Sequence, residues 1–366
     1  MDKREEGLIE TILSYSCCVK EGDKVIIEVL GGSALGFVER LCEAINQKSG
    51  NSYVVFRDET KEANRLRTIS HEDMVKWCAE DLERAKNSDV YIMIKAPDGD
   101  NQLATLTKLQ QELYQLNYYK PLYNYVLNNM RWLSMRYPSP GLAMNAGMSL
   151  DAFRERYFQL CETDYTEIAE AMVSLQSLMD RTDNVRIVGK GTDVTFSIKN
   201  MPVHQCDGKI NLPDGEVYTA PIKESINGHV IFNVPSNFQG VRHENVRFTF
   251  ENGRVVKEDS SAQGVLTSLL DIDEGARYVG EFALGVNPFI KEPLGDILFD
   301  EKIAGSFHFA LGNCYDNASN GNKSAIHWDL VCIQSLAYGG GEIYFDDVLV
   351  RKNGVFLMDT LNKLNA

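Results

Sequence analysis

What most constrains this chain is a change of periodicity near residues 181–185. Before it, short apolar runs alternate with amphipathic stretches of helical spacing. After it, short apolar–polar alternations follow one another with little but turns between them. Strand–helix alternation calls for right-handed crossovers and a mainly parallel sheet with helices on its faces. Strands joined by tight turns call for antiparallel pairing. At 366 residues the chain is also too long for one typical core. The expected fold is therefore α/β plus α+β: a mainly parallel α/β domain over 1–183, then a β-rich, mostly antiparallel domain over 184–366.

In the first half, residues 23–30 (DKVIIEVL), 52–57 (SYVVFR) and 90–95 (VYIMIK) read as strands, and 34–46 and 71–86 as the helices between them. Residues 101–117 and 149–179 read as further helical stretches, broken apart by the PSPG of 138–141. Gly31-Gly32-Ser33, directly after the first strand, invites comparison with phosphate-binding loops. The run 31–36 lacks G-x-G-x-x-G spacing, however, and no Lys-Ser/Thr follows it. A tight strand-to-helix turn is the reading. In the second half, 185–188, 194–198, 217–219, 229–232, 246–250 and 342–350 read as strands. Residues 254–256 pair back on 246–250 through Asn252-Gly253, a hairpin signal. One helix, 261–270, interrupts the pattern.

A net charge of −15 speaks against a nucleic-acid partner, because neutralising phosphates needs a basic face. No apolar run approaches the roughly 20 residues of a membrane helix, and MDKREEGLIE has no apolar core of a secretory signal. The eight cysteines show no C-x-x-C spacing, which suits reduced thiols in a cytoplasmic protein. Cys314 reads as a small buried residue rather than a nucleophile or soft ligand.

Chemistry concentrates in the second half. The stretch 305–330 (GSFHFALGNCYDNASNGNKSAIHWDL) holds two of the six histidines, His308 and His327. Asp329 follows His327 at i+2, so in a strand both point to one face while Trp328 points to the other. Taken alone, that pair reads first as a buried histidine bonded to its neighbour. Glu216 (DGEVYTAP) and Glu281 (GEFALG) each follow a glycine, which allows close backbone approach. Two Glu, two His and one Asp can form a shell for two divalent cations with a shared carboxylate.

The segments DGEVYTAP, GEFALG, HFALGNCY and the final H-x-D occur in one order, with YPSPGLAMNAGMSLDAF at 137–153 and GTDVTF at 191–196. Together they resemble the thermophilic-type metallo-aminopeptidase family, the group of aminopeptidases T and S. The resemblance implies a metal-dependent exopeptidase that releases N-terminal amino acids from peptides, acting as a homodimer. It implies two divalent ions per chain (Zn, Co or Mn), held by Glu216, Glu281, His308, His327 and Asp329 in the second domain, with a hydroxide formed between them. It matches Tyr315 to an active-site tyrosine donating to the oxyanion. Glu301 matches an acidic residue ahead of the first histidine, although its spacing to His308 departs from the family's. Either Glu281 or Glu301 is then the general base. Two other classes stay open: a mononuclear Fe(II) ring-cleaving dioxygenase using His308, His327 and Asp329, and a non-catalytic binder of peptide or metal.

Overall fold

The computed structural model describes residues 3–99 and 102–365, arranged in two compact units. The first comprises 1–161 with 208–213, and the second 162–207 with 214–366.

The first unit is built on a parallel sheet ordered Asn51–Arg57, Lys24–Leu30, Val90–Lys95, Arg131–Arg136 and Asn211–Leu212. The apolar runs KVIIEVL and VYIMIK take its buried interior, as a sheet covered on both faces demands. The strand Arg131–Arg136 (RWLSMR) has no clear apolar alternation. It is recruited by pairing Leu133 with Ile92 and Met135 with Ile94. At the first strand-to-helix turn, Gly31 adopts φ +89, and a Cβ there would lie 1.9 Å from the Ala96 carbonyl oxygen. The Gly32 N–H and the Ser33 hydroxyl both bond the Asp98 carboxylate, 2.7 Å each. The chain thus supplies its own anion where a nucleotide phosphate would sit.

Two helical expectations need correction. The stretch expected over 101–117 begins at Asn101, outside the described residues, and does not end at Asn117. After the helix Lys108–Tyr114, a π-turn over Gln115–Tyr119 leads straight into Lys120–Asn129. The wider turn accommodates Pro121, which has no N–H to give and whose ring would crowd a regular turn. The stretch 149–179 is two helices, Leu150–Leu160 and Tyr165–Asp180. Asp164 separates them by accepting the free N–H groups of Thr166 and Glu167 as the second begins.

The second unit holds an eight-stranded antiparallel sheet and a five-stranded one. The five-stranded sheet runs His327–Ile333, Ser306–Gly312, Val279–Gly285, Glu216–Thr219 and His204–Cys206, each antiparallel to the next. Period-two alternation divides its faces. Phe282, Phe307 and Phe309 take one side and interlock with Phe196, Phe232 and Phe250 of the larger sheet, with centroids 4.9–6.4 Å apart. That edge-to-face packing is the core of this unit. The residues between the phenylalanines must point to the other face.

Candidate metal centre

Those intervening residues are the ones with chemistry. Across the ladder, Glu281 lies opposite Ala310, which lies opposite Asp329. His308 lies opposite Ala283, His327 opposite Gly312, and Glu216 opposite Gly285. All five candidate ligands therefore stand on one face, separated by alanine and glycine positions that leave space over the sheet.

Both glutamates owe their placement to the glycine before them. Gly215 adopts φ +132, and a Cβ there would fall 2.9 Å from Asn287 Cβ. Gly280 sits at a register shift of the ladder, where a Cβ would meet the Gly312 and Asn313 carbonyl oxygens at 2.5 and 2.6 Å. The bulge turns the Glu281 side chain into the space between the histidines.

The donor atoms gather into overlapping trios, each within 4.8 Å: Glu216, Glu281 and His308; Glu281, His327 and Asp329; and Glu301, His308 and Asp329. Glu281 is common to the first two. His308 Nε2 lies 3.4 Å from Glu216 Oε2 and 3.6 Å from Glu281 Oε1. His327 Nε2 lies 3.3 Å from both Glu281 Oε2 and Asp329 Oδ1. Donors bound about 2.0–2.2 Å from one tetrahedral cation stand about 3.4 Å apart, so the spacing suits a shared ion better than mutual hydrogen bonds. Glu216 Oε2, both ring nitrogens of His308 and His327 Nε2 are buried without a hydrogen-bond partner among the described residues. Such groups are costly to bury unmet, by about 1–3 kcal/mol each. His327 Nδ1 donates to the Asn313 carbonyl oxygen at 2.8 Å, which leaves Nε2 facing the carboxylates. These residues fit divalent metal ions.

The electrostatics follow from burial and crowding. Burial alone would raise the Glu281 carboxyl, but the two imidazoles pull it down to about 2. Burial would lower His308, yet Glu281 and Glu216 hold its imidazole up at about 9. His327 is likewise held well above its ordinary value against burial, by Asp329 and Glu281. Without a cation, protons on the imidazoles balance these carboxylates. Glu301 is lifted to about 8 by burial, with Lys302 opposing and the charges of Glu216 and Asp329 adding.

Tyr315, half-exposed, packs its ring against His327 and Tyr218 at 4.9 and 5.6 Å. Burial of its hydroxyl, with the charges of Glu281 and Asp329, keeps the phenol protonated. Cys314 is buried and turned into its own loop, its thiol donating to the Asn322 carbonyl oxygen at 3.1 Å. Sequence reading passed over Asp214, Cys206 and Lys302. Lys302 is fully buried, with Nζ 2.5 Å from Glu216 Oε1 and 2.7 Å from Glu301 Oε1. Nothing in a Glu-Lys pair within a turn separates it from a solvated surface pair.

A family model described as thermophilic metalloprotease (M29) matches residues 1–356. Aminopeptidase AmpS of Bacillus subtilis strain 168 is 32% identical over 156 residues, 39% of this chain and 38% of that protein. Aminopeptidase T of Thermus aquaticus is 37% identical over 150 residues, 37% of this chain and 36% of that protein. These matched stretches thus span less than two-fifths of either relative's length. The structure of wild-type AmpT from Thermus thermophilus superposes with a TM-score of 0.82 over 97% of this chain and 99% of that one, at 22% identity. At that identity the likeness is one of fold.

Proposed function

The chain belongs to the thermophilic metalloprotease family M29, and from that membership we propose that it is a metal-dependent aminopeptidase releasing N-terminal residues from peptides. The observation that carries the reading is the set of buried, unpartnered imidazole nitrogens and carboxylate oxygen on one sheet face. Glu216, Glu281 and His308 would hold one divalent ion and Glu281, His327 and Asp329 a second, Glu281 being common to both trios. Zinc, cobalt or manganese suits such a set, and when bound the pair supplies Lewis acidity and a water that ionises near neutral pH.

The remaining roles belong to the chain. Glu301 lies outside both of these trios yet within 4.8 Å of His308 from one and Asp329 from the other. Its carboxylate, ionised when the cations are bound, takes the proton of the attacking water and returns it to the leaving amine. Glu281, common to both trios, would serve as a ligand rather than as the base. The Tyr315 hydroxyl donates to the carbonyl oxygen as it gains negative charge, a contact worth about 2.7–4 kcal/mol in comparable sites. A carboxylate oxygen of Asp329 pairs with the substrate's α-ammonium, which excludes internal peptide bonds. A cytoplasmic homodimer completes the proposal.

An iron triad of His308, His327 and Asp329 is less well supported, since the imidazoles fall in different trios. The deciding experiment supplies zinc, cobalt or manganese and offers leucyl peptides with free and N-acetylated termini. Cleavage of the free peptides alone, with two ions per chain, is expected. Cleavage of both, or a single iron per chain, would overturn the reading.

A further inference from the structure

We propose that Lys302 is a built-in cation of this centre: its ammonium fills the acidic corner beside Glu216, restricts Glu216 to one metal-facing oxygen, and completes the charge balance. The inference rests on the two-ion reading above.

The geometry is that of an ion in a site. Lys302 Nζ is fully buried and lies 2.5 Å from Glu216 Oε1, 2.7 Å from Glu301 Oε1 and 3.5 Å from Asp214 Oδ1. An ammonium has three donors, and three carboxylates face it. Cys206, Asp214 and Glu216 also bring donor atoms within 4.8 Å of one another, a grouping that could itself hold a metal ion. In this chain Lys302 stands beside that corner instead. Because Glu216 spends Oε1 on Lys302, only Oε2 remains, and that atom faces His308 Nε2 at 3.4 Å without a hydrogen bond.

The stem is held in place too. The Lys302 N–H bonds the Phe299 carbonyl oxygen at 3.1 Å, and its own carbonyl accepts the Asn287 N–H at 3.0 Å. Glu301 and Lys302 reach the same centre because they lie on a turn after Ile297–Asp300, where strand alternation does not send neighbours to opposite faces.

The ammonium balances charge. Asp214, Glu216, Glu281, Glu301 and Asp329 carry five negative charges when ionised. Before the water between them ionises, two divalent ions would supply four positive charges, and Lys302 supplies the fifth. A neutral buried centre avoids the penalty of an uncompensated charge. Lysine suits the task as a compact point charge tethered to the chain, which no chelator removes.

The test measures zinc stoichiometry and dissociation constants, by elemental analysis and chelator competition, on the full-length chain. Wild type, Lys302→Met and the double variant Lys302→Met/Asp214→Asn are compared. Wild type should bind two ions. Lys302→Met should either take a third ion into the vacated corner or change its affinity at least tenfold. The double variant, which removes one negative charge with the positive one, should return to two ions at near wild-type affinity. If Lys302→Met fails to fold, recovery of folding and two-ion binding in the double variant supports the proposal equally. Wild-type behaviour of Lys302→Met, or no recovery in the double variant, overturns it. A wild-type chain that binds no pair of ions would instead sink the two-ion reading beneath it.

Discussion

His327 presents Nδ1 to the main-chain carbonyl oxygen of Asn313 at 2.8 Å. A carbonyl only accepts, so Nδ1 carries the proton and Nε2 is left facing Glu281 and Asp329. One backbone contact thereby sets the imidazole's tautomer and its aim.

Loss of that imidazole should therefore cost metal and activity together. His327→Ala and Asp329→Ala are expected to lower metal content and to reduce kcat/KM by about 100-fold or more. Elemental analysis beside peptide hydrolysis checks this. Full metal content with activity lost would remove both residues from the ligand set.

Tyr315→Phe and Glu301→Gln should behave differently, because neither side chain is assigned to hold an ion. Both variants should retain two ions. Tyr315→Phe should lose about 100- to 1,000-fold in kcat, the usual loss on deleting one oxyanion donor. Glu301→Gln should lose kcat and flatten the acidic limb of the pH profile. Unchanged kcat in either would cancel that residue's role. Glu281→Gln is the contrast, since a shared ligand should lose metal first.

The chelated protein should have a stability maximum on the acidic side of neutrality. His308 sits at about 9 in the fold against an ordinary 6.5. Its contribution is complete below about 6.5 and lost as pH rises through 9. Glu281 sits at about 2 against an ordinary 4.5, so its contribution is present above 4.5 and lost as pH falls toward 2. The Tm measured with chelator should thus peak between about pH 4.5 and 6.5 and fall toward pH 9. Zinc, which competes with the imidazole protons, should remove that alkaline decline. A chelated protein that grows more stable from pH 6.5 to 9 would contradict these assignments.

Much of this was legible in the chain because strand alternation is a local property. The i, i+2 spacing of His327 and Asp329 already put them on one face, and DKVIIEVL and VYIMIK announced buried parallel strands. RWLSMR announced nothing, because only its neighbour's register makes it a strand. The π-turn before Pro121 was hidden for a similar reason. Pro121 disfavours a regular turn, but the choice between a break and a wider turn is left to what the helix packs against.

The residues by themselves determined the order of elements, the faces of the strands and the kinds of donor atom available, since covalent periodicity decides those. Which donors meet was left to the tertiary structure. Pairing registers brought Glu216, Glu281, His308, His327 and Asp329 together from four strands, and a turn delivered Lys302 and Glu301 to the same place. Charges attract whatever comes near, so a lysine written as an ordinary surface residue becomes part of a buried centre only once the chain has closed around it.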